Sequence, residues 1–227
     1  FGPPVDQREQ EQAIAILKRV ADAAGPWNAR PSRSIESYQY DAVDASDNRT
    51  RIKMTKESPR GPAWSDISRV RGFAYMPPLR WLFNQVENVV FYEVEMSPDR
   101  AVLTYRLREP RRYSIGIGVG PGWNGFFSHS FSAGKITIDT NRAVVLEHRL
   151  SAGLVDKETV ETFSEYVAVG DGYAPKRLRL QADEFDIGLK FKVHEDVLWL
   201  LDQVTRGEQE DPAFRIENVA VERGEAN

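Results

Sequence analysis

Gly120-x-Gly122-x-x-Gly125 has the spacing of a dinucleotide-binding loop. That chemistry requires the glycines to lie between a parallel strand and a helix whose N-terminus faces the phosphates. The residues that follow, Phe126-Phe127-Ser128-His129-Ser130-Phe131, do not begin an amphipathic helix. The run therefore reads as a glycine-rich bend in a sheet. Ser132-x-x-Lys135 has the spacing of a serine nucleophile with a lysine base one helical turn on. Here Lys135 opens a run of strand-like alternation and neither companion motif of that chemistry is present, so the match carries no catalytic expectation.

The three histidines, His129, His148 and His194, lack the i, i+4 spacing of a helical metal pair, and no cysteine is present to complete a site. His148 alternates in phase with Leu146 and Leu150. It reads as a satisfied, partly buried imidazole, with a cavity-lining role as the competing reading. Asp183, Glu184 and Asp186 lack the glycine and ligand spacing of a calcium loop and read as a solvated turn. Asn48-Arg49-Thr50 is a glycosylation sequon, meaningful only in a eukaryotic secretory setting. No catalytic residue, cofactor or metal ligand is expected.

Two groups of residues point to binding rather than catalysis. Arg106, Arg108, Arg111 and Arg112, flanked by Tyr105 and Tyr113, form a basic cluster. Guanidinium groups hold phosphate or carboxylate headgroups by paired hydrogen bonds, so the cluster is a candidate for a headgroup or a protein partner. The competing reading is a solvated strand face running into a loop at Pro110-Arg111-Arg112. Trp81, Leu82 and Phe83 lie in one loop-like segment, and Trp123, Phe126, Phe127 and Phe131 surround the glycine-rich bend. Loops run over a wet surface, so aromatics at this density either plug the sheet as core or gate an apolar cavity.

These residues need elements to hold them. A helix is expected from about Asp6 to Ala24, with Ala13, Ile14, Leu17, Val20, Ala21 and Ala24 on one face and Gly25-Pro26 ending it. Period-two alternation then predicts strands at 34–43, 50–57, 65–75, 88–97, 100–107 and 113–119. In 88–97, Val90, Tyr92, Val94 and Met96 are expected on one face and Phe91, Glu93 and Glu95 on the other. Ser97-Pro98-Asp99-Arg100 predicts a hairpin into Ala101–Leu107. Pro77–Asn84 interrupts the alternation and reads as a short helix or lid. A last long strand is expected over Phe185–Val197, with an edge strand over Phe214–Val221.

The chain has 227 residues, 41% of them hydrophobic and 28% charged, which suits a folded protein with a sizeable core. One domain over 1–227 is the simplest reading, with 1–5 and 222–227 as frayed ends. Net charge is −4 without a long like-charge block, so no nucleic-acid footprint is present. No stretch approaches the ~20 apolar residues of a transmembrane helix. Phe1-Gly2-Pro3-Pro4 lacks an initiating Met, so a preceding segment, with room for a lipid anchor, is expected to have been removed.

The most specific pattern lies further on. Lys-Ile-Thr-Ile-Asp at 135–139 is followed by the strand-like runs 143–150 and 162–169, the turn Gly170-Asp171-Gly172, and Tyr173-Ala174-Pro175 opening 173–180. This succession resembles the second half of the periplasmic lipoprotein-carrier (LolA/LolB-like) superfamily. The resemblance implies an α+β fold: a large curved antiparallel sheet, or half-barrel, with an N-terminal helix and a short helical insert on its concave face. It implies a non-enzymatic periplasmic or otherwise exported protein that holds a lipid, a lipoprotein acyl chain or another apolar ligand. Trp81, Phe83, Val90, Tyr92, Val94, Trp123 and Phe127 are then the expected ligand-binding residues. The alternative is an envelope interaction or sensor protein that uses the same fold, and an exposed strand such as Phe214–Val221, to contact a protein partner.

Overall fold

The computed structural model describes residues 6–23, 35–55, 88–118, 124–151, 158–169, 172–182, 185–194, 198–207 and 212–223. Among them one helix, α1 (Gln7–Ala23), precedes eleven strands. The strands are β1 (Ile35–Asp44), β2 (Arg49–Thr55), β3 (Val89–Met96), β4 (Arg100–Gly118), β5 (Asn124–Asp139) and β6 (Val144–Ser151). They continue as β7 (Glu158–Val169), β8 (Gly172–Ala182), β9 (Phe185–His194), β10 (Leu198–Arg206) and β11 (Phe214–Arg223). The chain is thus mostly antiparallel sheet with an N-terminal helix. The helical insert expected over Pro77–Asn84 and the strand expected over 65–75 lie outside the described residues.

The contacts divide the chain into two compact units. The first holds α1, β3, β6, β7, β8, the part of β4 up to Ser114 and the part of β5 from Ser128. Its strands lie in the order β8-β7-β6-β5-β4-β3. Asp6 caps α1, its carboxylate accepting the Arg8 N–H at 2.8 Å while its carbonyl accepts the Gln10 N–H. About two turns inward the buried stripe begins, and Ala13, Leu17 and Val20 share one core cluster with Val89, Phe91, Leu103, Tyr105, Ile136, Leu150 and Phe163. The 97–100 turn closes the β3–β4 hairpin with a 2.8 Å bond from Ser97 N–H to the Arg100 carbonyl, where the sequence places it.

The second unit holds β1, β2, β10, β11 and most of β9, in the order β2-β1-β11-β10-β9. Tyr40, Ala42, Val43, Ile187, Leu189, Phe191, Val204 and Ile216 are buried in it. Here β11 lies between β1 and β10 in the strand order, paired to β1 along its length and to β10 at Phe214 and Arg215, so it is not the edge strand that its position near the chain end predicts. The strand expected over Phe185–Val197 is described from Phe185 to His194, with 195–197 outside the described residues, and β10 runs alongside it from Leu198. Leu198-Trp199-Leu200-Leu201 is apolar without alternation, so periodicity does not mark it as a strand.

Two differences concern the expected sites. Pro110-Arg111-Arg112 is not a loop, because β4 is one strand from Arg100 to Gly118. The β3 ladder on β4 ends at Leu107, so the missing N–H of Pro110 removes no bond on that side. Just before it, the Asn88 carboxamide substitutes for a neighbouring strand, bonding both the N–H and the carbonyl of Glu109. The second difference is a bulge in β3 between Phe91 and Glu93, which leaves Tyr92 as the extra residue. The phase flips there. Phe91 opposes Tyr105 and Val94 opposes Leu103, which puts both on the α1 side, whereas Val90 opposes Arg106.

Candidate functional site

Four neighbouring strands bring the most chemically capable side chains together. The Tyr105 hydroxyl on β4 stands 2.8 Å from Nε2 of His148 on β6, and His148 Nδ1 stands 2.8 Å from a carboxylate oxygen of Glu161 on β7. The intervening strand contributes Gly134, and the reason for glycine is steric. A Cβ there would lie 2.5 Å from the Tyr105 hydroxyl and 2.5 Å from the Arg149 carbonyl oxygen. Tyr105 therefore crosses β5 over a residue without a side chain.

The register that produces this alignment is explicit. His148 opposes Ile136 on one side and Glu161 on the other, and Gly134 opposes Leu150. All four positions face α1. Burial pushes the Tyr105 hydroxyl well above its usual pKa of 10.0, with the Glu161 charge adding to the effect, so it stays an O–H donor. In the neutral imidazole this geometry puts the proton on Nδ1, donating to Glu161, while Nε2 accepts from Tyr105.

A carboxylate–imidazole–hydroxyl row is the arrangement that activates a nucleophile. Here Tyr105 and His148 are 0% exposed and Glu161 is 8% exposed. The row joins β4, β6 and β7 beneath α1 and presents no hydroxyl to solvent. This is the satisfied histidine that the in-phase leucines predict. Tyr105 and Glu161 could not be paired with it from the sequence, because their meeting depends on the register of three separate strands. A second cluster, in the other unit, is built on the buried Asp41 with exposed partners, and has no sequence signal at all. The Asp41 carboxylate takes two bonds from Arg51, at 2.8 and 3.0 Å, and one from Asn218 at 2.7 Å. Asn218 reaches it from a left-handed backbone position (φ 51°) beside a register shift in the β1–β11 pairing. The Arg51 and Asn218 bonds hold Asp41 down at about 2 from the ordinary 3.8.

The expected ligand-binding residues are only partly within view. Trp81, Phe83 and Trp123 lie outside the described residues, and Phe126, Phe127 and Phe131 lie in strand β5 and not in the loop-like segment expected, Phe127 without a described side chain. Val90 is buried, and Tyr92 and Val94 are half-buried. These last three are neighbours on β3 but do not share a face, for the reason given by the bulge. The arginines all lie on β4, with Arg106 and Arg111 half-buried and Arg108 and Arg112 exposed. Strand alternation places Arg111 on the opposite face from the other three.

Asp186, of the acidic cluster, is held by Arg179 at 3.0 and 2.7 Å, which keeps its carboxyl below the usual range. Asp183 and Glu184 lie outside the described residues. Ser132 and Lys135 both sit within β5, so the helical geometry of a serine–lysine pair is absent there. Among the described residues no three His, Asp or Glu side chains are grouped to hold a metal, and no helix is long and apolar enough to cross a membrane. No protein-family model, curated protein or solved structure matches this chain.

Proposed function

We propose that this chain is a non-enzymatic cell-envelope protein that shelters a lipid, a lipoprotein acyl chain or another apolar ligand against an antiparallel sheet, as the lipoprotein carriers it resembles do. The observation that carries the reading is the architecture: one N-terminal helix with an apolar stripe, followed by antiparallel strands. In the finer form of the proposal the sheet curves into a half-barrel, and the segment 77–84 covers its concave face as a short helix. Trp81, Phe83, Trp123 and Phe127 then line the ligand, and Arg106, Arg108 and Arg112, which share one face of β4, meet a headgroup or a protein partner. Burial of apolar surface at about 25 cal/mol per Å² supplies the driving force. Periplasmic or other export rests on the resemblance.

A titration with a fluorescent fatty acid tests it. Saturable uptake near one ligand per chain is expected, weakened by Trp81→Ala and Trp123→Ala. Fluorescence that never saturates, or saturable uptake indifferent to both substitutions, would remove the proposed site.

A further inference from the structure

We propose that the outer edge of β3 is a strand-addition site for an extended peptide lying parallel to it, and that Gln10 holds this site closed. Among the described residues β3 ends the strand order of its unit. A terminal strand carries a row of backbone groups that its single neighbour cannot satisfy. Two of them are taken by one side chain. The Gln10 amide donates from Nε2 to the Val89 carbonyl at 3.3 Å, and its Oε1 accepts the Phe91 N–H at 2.8 Å.

The spacing of those two groups identifies what the amide replaces. In an antiparallel pair, one residue's own N–H and carbonyl face the same partner residue. In a parallel pair, a partner residue donates to the carbonyl of residue i and accepts from the N–H of residue i+2. Asn88 shows the first pattern, meeting both groups of Glu109. Gln10 shows the second, bridging Val89 and Phe91 across Val90. Its carboxamide supplies the donor and acceptor that one residue of a parallel strand would supply, and an extended backbone that displaces it gains both bonds along the edge before the bulge at Tyr92.

The exposed end of the same strand selects the occupant. Glu93 and Glu95 are exposed, and so is Met96, at 53%. A second copy pairing edge to edge about a two-fold axis would run antiparallel and bring two acidic runs onto one ladder. A peptide with basic side chains at alternate positions suits both the hydrogen-bond pattern and the charge. This site is independent of the apolar-ligand reading.

The test uses fluorescence anisotropy with a short labelled peptide alternating valine and lysine, against the wild type, Gln10→Ala and Gln10→Glu. Gln10→Ala empties the parallel position, whereas Gln10→Glu frees only the Val89 carbonyl, since a carboxylate still accepts the Phe91 N–H but cannot donate. Tightening of Kd by about tenfold or more in Gln10→Ala is expected, with a smaller gain in Gln10→Glu and binding abolished when alternate peptide nitrogens are methylated. Equal affinity for all three proteins, or binding that survives methylation, would overturn the proposal. Sedimentation showing that the variants self-associate without peptide would make a second copy the occupant and overturn it too. Variants that fail to fold would show that the amide is only a structural tie, with the same consequence.

Discussion

The Tyr105–His148–Glu161 row shows how single residues hold the first unit together. One bond crosses from β4 to β6 over β5 and the other joins the paired strands β6 and β7, so the row reports on register as well as on stability. Tyr105→Phe deletes the O–H that His148 Nε2 accepts while leaving the ring in place. Because a buried polar group loses its partner, unfolding free energy is expected to fall by about 1–3 kcal/mol, read from the urea midpoint. An unchanged midpoint would mean that the bond contributes nothing net. Asp41 gives the second unit an acid sensitivity of definite sign. Its carboxyl titrates at about 2 in the folded chain against 3.8 ordinarily, so the unfolded chain binds the proton more readily. Its contribution is therefore present above pH 3.8 and is lost as pH falls through about 2. Asp41→Asn should flatten the stability–pH profile in that window and leave its shape near neutrality unaltered. A profile as steep as that of the wild type between those values would assign the acid loss to other carboxylates. Among these residues the sequence made only His148 legible, through the leucines on either side of it. Asp41 has no periodic signature, because its partners, Arg51 and Asn218, come from two other strands.

Among the elements, those that obey one simple periodicity were legible and those that break it were not. α1 begins and ends within a residue of its sequence signals, because the Asp6 cap and the apolar stripe are both local features. β1 to β3 and β6 to β8 likewise lie close to their alternating runs. β4 was divided in two because Pro110 looked like a breaker, yet proline is tolerated where the adjoining ladder has already ended. The β3 bulge cannot be read from alternation, since Tyr92 fits the pattern on either side of it. β10 was missed because four consecutive apolar residues have no period, and β11 was taken for an edge because nothing local reports its two partners. The packing of α1 gives the measurable consequence at this scale. Leu17, 2% exposed, belongs to the buried stripe, so Leu17→Ala should cost about 2–5 kcal/mol by thermal or urea denaturation. Ile14 is 39% exposed on the neighbouring turn, and Ile14→Ala should cost far less. Equal losses at the two positions would mean that α1 lies on the sheet by a different face.

For the whole molecule, the antiparallel sheet with its N-terminal helix was readable from the sequence, and the chemistry was not. Every motif that resembled a catalytic loop or pair and falls on described residues lies in extended strand or in satisfied ion pairs. Among the described residues, the row of catalytic residue types formed by Tyr105, His148 and Glu161 is buried. The proposed binding reading rests on the architecture and on the aromatics clustered in two segments of the sequence. It makes a demand that no stability experiment addresses: the protein must take up an apolar molecule in a fixed ratio. Native mass spectrometry of the purified chain, followed by denaturing extraction and lipid analysis, asks this directly. The account predicts a bound species near one to one, released on extraction and lost in Trp81→Ala or Trp123→Ala. A single apo mass that stays unchanged after incubation with fatty acid and with phospholipid would contradict it.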